Sequence, residues 1–584
     1  MKKPFALKNL ASLAVACLLS TLSMHAVEPS GTLPVMYINT EGGAPITSKE
    51  NYVKATYYLD PNGVEGVKAF GSAEQPLPLQ IRGRGNYTWV GFDKKPYRLK
   101  LDSKAALMGM PKSKHFGLLA SADDNIGFLR NLVGYELSRR LGLAWTPGAA
   151  PVEVKLNGDY IGLYFLTELI RVDADRVNIV EQPDNITDPE AITGGWLVEI
   201  DNYDTDPHVA ITEGNGAPII FTYKTPEVLS AEQENFLRNQ MTAIDKAIYT
   251  SDKTSTEWEQ HVDIDELARY YIVQEILDDC ESFHGSCYLY RDLGQNKKWM
   301  FGPVWDFGNA YHRGTSQFIW QEPAFNQTWI GEIYKFPRFQ ERVKEIWADF
   351  INTSYTPMTA YITNTAQNIS EAAKNDAERW PQYGNADEMA AAAHFSSMFK
   401  SKVNWLGQQW GAMPPHDWSM YTIYFRGNTN GWGLTQPLTY KEDGTFSLNN
   451  IDITDIFKLA TDDWKTIDLG SNGSPVELNK PYLLKDSGGN ISVKDNAPLY
   501  NVNLTLNPNT KTLLISDSQG VDDITFDNNH SWQINALHII ADKHVDVYTA
   551  TGVLVASGRG TFNLPGAGLY IVVENGSAYK IIAK

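Results

Sequence analysis

Apolar and polar residues alternate along several short segments of the first 170 residues, a pattern typical of β-strands with one buried face. Single strands are predicted at residues 35–39, 77–82 and 96–101. Residues 152–156 and 160–166 alternate in the same way on either side of Asn157-Gly158. This dipeptide favours the two-residue turn of a β-hairpin, so the two segments are predicted to pair.

Helical spacing of apolar residues appears in three further segments. Residues 128–141 are predicted as a helix that ends at Gly142. Residues 263–279 are predicted as an amphipathic helix, with Asp263 or Asp265 as the cap. Its predicted buried side carries Ile264, Leu267, Tyr271 and Ile276. A helical tract at 336–406 completes an α+β domain predicted to span residues 27–413.

The pattern changes after Pro414-Pro415, where short strands alternate with turn signals such as Asn430-Gly431. A β-sandwich is predicted at residues 417–516, and a second small all-β sandwich is predicted at residues 519–584. The sequence therefore predicts one mixed domain followed by two β domains.

Residues 1–26 have the features of a secretory signal peptide: three lysines, an apolar run and a small-residue end at Ala26. Processing as a lipoprotein at Cys17 is the alternative. No later segment is apolar and long enough to predict a membrane span after signal cleavage. The expected location is the cell surface or the extracellular space, with the periplasm in transit.

Charge limits the partners of the chain. The 584 residues carry a formal net charge of −19, and loss of the three lysines of the signal peptide takes it to −22. Such a surface repels phosphate backbones, which argues against nucleic acid as a partner. A nucleotide site would need a local group of cations. Cys280 and Cys287, the two cysteines outside the signal peptide, are either joined by a disulfide or are two buried thiols.

Glu281, Ser286 and Asp306 have the most informative spacing: a carboxylate, a side-chain oxygen five residues later, and Asp-Phe-Gly after two apolar strands. In protein kinases the first group accepts the proton of the substrate hydroxyl, and the other two hold Mg²⁺ against the nucleotide. The two strands are predicted at residues 286–292 and 298–305. Their pairing would place Ser286 opposite Trp305 and bring the three groups together. The alternative is a hairpin whose carboxylates merely face solvent.

Cations for a nucleotide are found near the predicted strands of the first domain. Arg82 and Arg84 alternate with glycines, and Lys95 and Lys100 follow. Arginine side chains bind phosphate through two hydrogen bonds, and glycines let backbone N–H groups approach it. Lys100 lies where a kinase would hold its phosphate-positioning lysine, with Glu168 as its predicted partner. The alternative is a solvated basic strand edge.

These residues resemble the spore-coat protein H (CotH) kinase family over about residues 35–312. The similar segments are residues 82–86, 95–100, 129–131, 152–168, 194–201, 286–290 and 302–308. The resemblance implies an atypical kinase fold, ATP with Mg²⁺ or Mn²⁺, and phosphorylation of serine or threonine on secreted or surface proteins. Glu281 would be the general base, with Asp306 and Ser286 as metal ligands. The nucleotide site would comprise Arg82, Arg84, Lys95, Lys100 and Glu168.

Three positions depart from the family pattern, which often has Asp at 281 and Asp or Asn near Ser286 and Gly308. The longer Glu281 side chain and the weaker metal ligand Ser286 leave a pseudokinase open. The alternative function is accordingly a non-catalytic surface protein that binds polysaccharide or a protein partner.

The two C-terminal segments carry resemblances of their own. Residues 417–516 resemble starch-binding modules of the SusE/SusF type, which implies a glucan partner. Trp432 and Trp464 are the glycan-binding candidates, because a sugar ring can stack on an exposed indole; the alternative is that both belong to the module's core. Residues 519–584 resemble the C-terminal sorting domain of type IX secretion, which implies export across an outer membrane.

Overall fold

The structure is a computed structural model. It describes residues 27–124, 127–203, 206–312, 316–416, 418–441, 444–517, 532–535, 537–549, 554–565, 568–574 and 577–583. The chain divides after Pro415 into two compact units. Within the described ranges, no helix is both long and apolar enough to cross a bilayer. The predicted signal peptide at residues 1–26 lies outside these ranges.

Seven strands of the first unit form a closed barrel. They are β1 (Val35–Thr40), β2 (Val53–Asp60), β3 (Leu77–Gly83), β4 (Tyr97–Ala105), β5 (Ser113–Leu119), β6 (Ala149–Leu156) and β7 (Asp159–Glu168). Their order is β1-β2-β3-β4-β5-β7-β6, and β1 closes the barrel by pairing in parallel with β6. The predicted β6–β7 hairpin is confirmed. Asn157 and Gly158 form its turn with φ angles of 52° and 88°, the left-handed conformation that this dipeptide favours.

The pleat of β3, β4 and β5 separates an apolar inner face from a basic outer face. The buried neighbours that line the barrel core are Ile81, Leu99 and Phe116. Arg82 lies opposite Arg98, and Lys100 lies opposite His115. Since successive residues of a strand point to opposite faces, these four side chains share the outer face.

A second sheet of the first unit is antiparallel, in the order β12-β11-β8-β10-β9. Its strands are β8 (Trp196–Ile200), β9 (His208–Thr212), β10 (Pro218–Thr225), β11 (Cys287–Arg291) and β12 (Met300–Phe301). The α-helices of this unit are α1 (Tyr87–Gly91), α2 (Arg130–Leu141), α3 (Ala231–Ile248), α4 (Ile264–Ile276), α5 (Ile330–Ile333), α6 (Pro337–Thr353), α7 (Tyr355–Arg379) and α8 (Glu388–Trp410). The predicted helical tract at 336–406 is thus three helices, and the mixed α+β class is confirmed.

Helix α4 differs from its prediction. Asp263 caps it, as expected, by accepting hydrogen bonds from the backbone N–H groups of Asp265 and Glu266. The helix is not amphipathic in its environment, however, because even Gln274 and Glu275 are fully buried. It is enclosed by α2, α6, α8 and β12, so it lies in the centre of the core.

The hairpin after α4 is shorter than predicted. Its second strand was expected at 298–305 but ends at Phe301, since Pro303 has no N–H group to continue the ladder. The observed register pairs Leu289 with Phe301. Continued along the strands, this register brings Val304, not Trp305, level with Ser286.

The second unit is all-β. Its first nine strands are β13 (Tyr424–Gly427), β14 (Thr439–Tyr440), β15 (Phe446–Ile453), β16 (Phe457–Ala460), β17 (Asp468–Gly470), β18 (Tyr482–Leu483), β19 (Lys485–Asp486), β20 (Leu499–Asn507) and β21 (Thr512–Asp517). They form a four-stranded and a five-stranded sheet that contribute to one apolar core. The last sheet contains β22 (Trp532–Asn535), β23 (His538–Thr549), β24 (Leu554–Asn563), β25 (Gly568–Glu574) and β26 (Ser577–Ala583).

Candidate active site

Glu281 lies in the loop between α4 and β11, and buried contacts hold this loop. The Tyr270 hydroxyl donates a hydrogen bond to a backbone carbonyl of the loop at 3.1 Å. Lys402 of α8 is fully buried, and its Nζ lies 2.8 Å from Asp278 Oδ1 and 3.2 Å from Glu275 Oε2. Because a buried charge is tolerated only with partners, these contacts anchor the start of the loop to α8.

Both carboxylate oxygens of Glu281 accept hydrogen bonds. The Tyr203 hydroxyl donates to Oε1, and the side-chain amide of Asn309 donates to Oε2. Burial raises the pKa of Glu281, and the charges of Asp306 and Asp201 act in the same direction, against the hydrogen bond from Tyr203. The Asn309 amide thus fixes Oε2, while Oε1 accepts a hydrogen bond from a hydroxyl group. A general base needs an oxygen that can accept a hydroxyl proton in this way.

Asp306 follows the end of β12 in a left-handed backbone conformation, with φ of 57°. Burial among surrounding protein atoms raises the pKa of Asp306, while the charge of Arg84 and a hydrogen bond from the Gly308 backbone act to lower it. The side chain nevertheless keeps access to solvent. A carboxylate surrounded by protein yet open to solvent lies in a cleft, as a ligand-binding group must.

Asp123, which sequence reasoning missed, lies beside Asp306. A Cβ atom placed on Gly308 would be 3.2 Å from Asp123 Oδ2 and 3.3 Å from Asp306 Oδ1. Burial, followed by the charges of Asp306 and Asp124, raises the pKa of Asp123 to about 6. The two carboxylates therefore flank Gly308, where a side chain would make tight contacts with both. We call Glu281, Asp306 and Asp123 the carboxylate cluster.

The outer face of the barrel carries a group of side chains that we call the cationic face. Its members are Arg82, Arg84, Arg98, Lys100 and Arg171. Within the described part of the chain, none of their side chains forms a hydrogen bond or an ion pair. Burial lowers the pKa of Arg98, and the charges of Arg82, Arg171 and Arg84 add to this effect. Tyr52 gives a partial compensation, since its ring lies 5.1 Å from the Arg82 guanidinium and 5.9 Å from Lys100 Nζ.

Arg84 connects the cationic face with the carboxylate cluster. Its guanidinium lies 5.2 Å from the ring centre of Trp305, next to Asp306, and its charge acts on the Asp306 carboxylate. A site with unpaired cations on one side and carboxylates on the other suits a metal-bound polyphosphate.

A family model described as CotH kinase protein matches residues 80–406, more than half of the chain. The chain belongs to the CotH kinase family. A search of curated proteins finds no match. The family match begins in β3, just before Arg82, and ends within α8, so it contains both the cationic face and the carboxylate cluster.

Two predicted nucleotide residues, Lys95 and Glu168, contact other protein groups, whereas Lys100 belongs to the cationic face. Lys95 Nζ donates to the Trp89 backbone carbonyl at 2.7 Å. The predicted pairing of Lys100 with Glu168 is wrong, because Glu168 is buried and forms an ion pair of 2.8 Å with Arg176. The alternation of side chains between the two faces of the sheet explains why Lys100 and Glu168 do not pair.

On β5, Lys100 lies opposite His115 and Glu168 lies opposite Phe116. Since His115 and Phe116 are consecutive, they point to opposite faces of the sheet, and so do Lys100 and Glu168. Burial, with the charges of neighbouring cations, also lowers the pKa of His115 to about 4.

Ser286 and Asp306 are the metal ligands predicted from the sequence. Ser286 has a left-handed backbone with φ of 52°, and its hydroxyl makes no hydrogen bond to any described residue. Among the described residues, no group of three or more His, Cys, Asp or Glu side chains converges as a metal site. Asp306 and Asp123 still fit Mg²⁺, which proteins commonly hold through one or two carboxylates and substrate phosphates.

The cysteines and His284 have structural surroundings. Cys280 and Cys287 are both buried, and no disulfide joins them, so the disulfide left open by the sequence is not formed. His284 packs edge-on against Tyr203, with ring centres 5.2 Å apart, and lies 5.3 Å from Phe325. Neither observation gives these residues a direct part in proton transfer.

Trp432 and Trp464 lie together on the surface of the second unit. Their ring centres are 6.0 Å apart, and the Arg426 guanidinium lies 3.8 Å from the centre of the Trp464 ring. Both side chains are partly exposed, and neither is among the described residues of the module's apolar core. This placement favours a surface role over a core role.

Residues missed from the sequence left weak signals. Asn309 directly follows Asp-Phe-Gly, and Tyr203 lies two residues beyond a segment similar to the family. Asp123 belongs to an Asp-Asp pair just before α2. Arg171 has no pattern around it that indicates phosphate binding.

Proposed function

We propose that the CotH domain transfers the γ-phosphate of Mg-ATP to serine or threonine hydroxyls of secreted or surface proteins. One observation carries the proposal: Glu281 and Asp306 lie together, with Arg84 joining them to a face of unpaired cations. Unpaired cations on rigid strands attract phosphate, and a carboxylate with one oxygen facing a hydroxyl serves as a base.

In the proposed reaction, Arg82, Arg84 and Lys100 bind the phosphates of ATP. Asp306, together with Asp123 and the Ser286 hydroxyl, would hold Mg²⁺, which neutralises the charge of the phosphates when bound. The acceptor oxygen bonds to the γ-phosphorus as its proton moves to Glu281 Oε1. The bond from this phosphorus to the β–γ bridging oxygen breaks, and ADP leaves.

The test is phosphate transfer by the purified full chain, with labelled ATP, Mg²⁺ or Mn²⁺, and dephosphorylated casein as a general acceptor. Asp306→Ala and Glu281→Ala should each lower the rate by about 10²-fold or more. Asp159→Ala is the matched control, because Asp159 is exposed at the β6–β7 turn. Undiminished transfer by Asp306→Ala would overturn the assignment of this residue.

Absence of transfer in the wild type would favour the non-catalytic alternative. Calorimetric titration with Mg-ATP then separates two cases. Binding that Asp306→Ala abolishes indicates a pseudokinase that retains its nucleotide site, and absence of binding removes the nucleotide from the proposal.

We further propose that residues 417–516 bind glucan through Trp432 and Trp464, whose side chains are partly exposed. Retention of the full chain on insoluble starch should fall in Trp432→Ala and in Trp464→Ala. Tyr500→Ala is the control, since Tyr500 is an exposed aromatic residue of the same module. Equal retention of all three variants would exclude these rings as the binding surface.

Export is proposed from the predicted signal peptide at residues 1–26 and from the sorting-domain resemblance of residues 519–584. Fractionation of cells that express the full chain tests it. Recovery of the protein from the surface or the medium would support export, and recovery from the cytoplasm alone would contradict it.

A further inference from the structure

Tyr203 lies beyond the end of β8, and its contact with Glu281 has a consequence for the reaction. The residue is 51% exposed, yet its hydroxyl donates a hydrogen bond to Glu281 Oε1. The other oxygen, Oε2, is held by Asn309. The Tyr203 hydroxyl therefore occupies the free side of the carboxylate, where the proton of an acceptor hydroxyl would be taken.

The ring of Tyr203 is held in this position by the loop that carries Glu281. His284 packs edge-on against it, with an interplanar angle of 82°. Gly285 is needed for the approach, because a Cβ atom at this position would lie 2.8 Å from Tyr203 Cε2. A separation below about 3 Å would force the ring to move, so this contact depends on the absence of a side chain at Gly285.

We propose that Tyr203 is an internal phosphate acceptor of the domain. The inference rests on the proposed kinase function and adds a tyrosine hydroxyl of the domain itself to the serine and threonine hydroxyls as a substrate of the same site. The phenolic oxygen of Tyr203 bonds to the γ-phosphorus of ATP, and its proton moves to Glu281 Oε1. The bond from this phosphorus to the β–γ bridging oxygen breaks, and ADP is the leaving group.

The product has a predictable effect on the site. A phosphate on Tyr203 carries close to two negative charges at neutral pH and faces Glu281, Asp201 and Asp306. Like-charge repulsion drives the modified ring out toward solvent, which its exposure permits. Departure of the ring frees Glu281 Oε1 for the hydroxyl of another protein, so the modification opens the site.

The experiment incubates the purified full chain with ATP and Mg²⁺ or Mn²⁺ and maps phosphorylated residues by mass spectrometry. Phosphate is expected on Tyr203, at an initial rate per molecule that does not depend on protein concentration. Asp306→Ala should remove it, and Tyr203→Phe should remove the phosphotyrosine signal. Tyr500→Phe, a change at an exposed tyrosine of the second unit, should leave it unchanged.

Transfer to dephosphorylated casein, measured in parallel, separates the two ways to fail. Transfer to casein with no phosphate on Tyr203 overturns this inference and leaves the kinase function intact. Absence of transfer to casein and to the chain itself overturns both. Phosphate on Tyr203 whose initial rate rises with protein concentration would overturn the internal reaction, because one molecule would then modify another.

Discussion

The cationic face and the carboxylate cluster meet at Arg84, yet their side chains are held in different ways. Arg82, Arg98 and Lys100 lie on paired strands, and their side chains have no polar partner in the described chain. Glu281 lies on a loop, and both of its oxygens have hydrogen-bond partners. The strands fix the position of the cations whether or not an anion is bound. The carboxylates depend on contacts from distant parts of the chain.

This difference gives the two regions different weaknesses. The cationic face accumulates like charge, which is unfavourable until an anion binds. The carboxylate cluster depends on anchors such as Lys402, whose loss would leave buried charges unpaired. Substitutions can therefore weaken one region and leave the other in place.

The largest effect is expected from Lys402→Met, which acts on the loop that carries Glu281. Glu275 and Asp278 would lose their buried cation, and breaking such a group costs about 3–5 kcal/mol. The free energy of unfolding, measured with urea, should fall by that amount. Lys374→Met on α7 is the control, because Lys374 is exposed. Equal stability of the two variants would contradict the anchoring role of Lys402.

Arg84→Met should have the next largest effect, since Arg84 acts on both regions. Transfer measured as kcat/KM should fall by about 10²-fold, because a charge that faces the transferring phosphate would be lost. Arg82→Met provides the comparison. It removes a charge from the same face and should mainly raise the KM for ATP, with a smaller effect on kcat. Equal losses of kcat/KM in both variants would show that Arg84 acts on the transferred phosphate no more strongly than Arg82 does.

The regions also differ in how far the sequence predicted them. Alternating residues and the Asn157-Gly158 turn predicted the barrel strands, because local pattern determines which side of a strand is buried. Arg82 and Arg84 could be found for this reason. Lys100 and Glu168 were paired incorrectly, because the sequence does not show which strands are neighbours or which faces they share.

Only those members of the carboxylate cluster that belong to the same hairpin motif were predicted from the sequence. Glu281 and Asp306 are joined by one local motif. Asp123 comes from a loop more than 150 residues earlier, and Tyr203 comes from a different strand end. Contacts between distant loops depend on the packing of the whole unit, which no local pattern contains.

Asp123→Asn should affect function and stability in opposite directions. The raised pKa, about 6, means that the ionised carboxylate is disfavoured in the folded state. Ionisation of Asp123 therefore removes stability as the pH rises from the ordinary value of an aspartate through about 6. An uncharged Asn should raise the unfolding free energy at pH 7 by about 1–2 kcal/mol, after an allowance for partial exposure.

The stability gain of Asp123→Asn should disappear below about pH 4, where the wild-type carboxyl is protonated in both states. Transfer should require more Mg²⁺ for half-maximal rate, because one proposed ligand has lost its charge. Urea unfolding at both pH values, with a Mg²⁺ titration of activity, measures the two effects. A loss of stability at pH 7 would show that the Asp123 carboxylate is a structural group.

The smallest expected effect belongs to Tyr203→Phe, measured as the pH dependence of kcat/KM for the initial transfer to dephosphorylated casein, before phosphate accumulates on Tyr203 of the wild type. Glu281 must be ionised to accept a proton, so the rate should rise with pH through the pKa of this residue. The hydrogen bond from Tyr203 lowers that pKa. Its removal should move the acid limb to higher pH, because the hydrogen bond stabilises the charged form of the carboxylate.

The position of the acid limb is informative because it does not depend on the height of the plateau. Tyr203→Phe also removes a competitor for Glu281, which would change the plateau, whereas the limb reports the charge state of the base alone. Tyr500→Phe should leave both unchanged. An unshifted limb in Tyr203→Phe would mean that the Tyr203 hydroxyl is absent from Glu281 in the unmodified free enzyme. In that case the carboxylate cluster would depend on Asn309 for its orientation, and its contrast with the cationic face would be smaller.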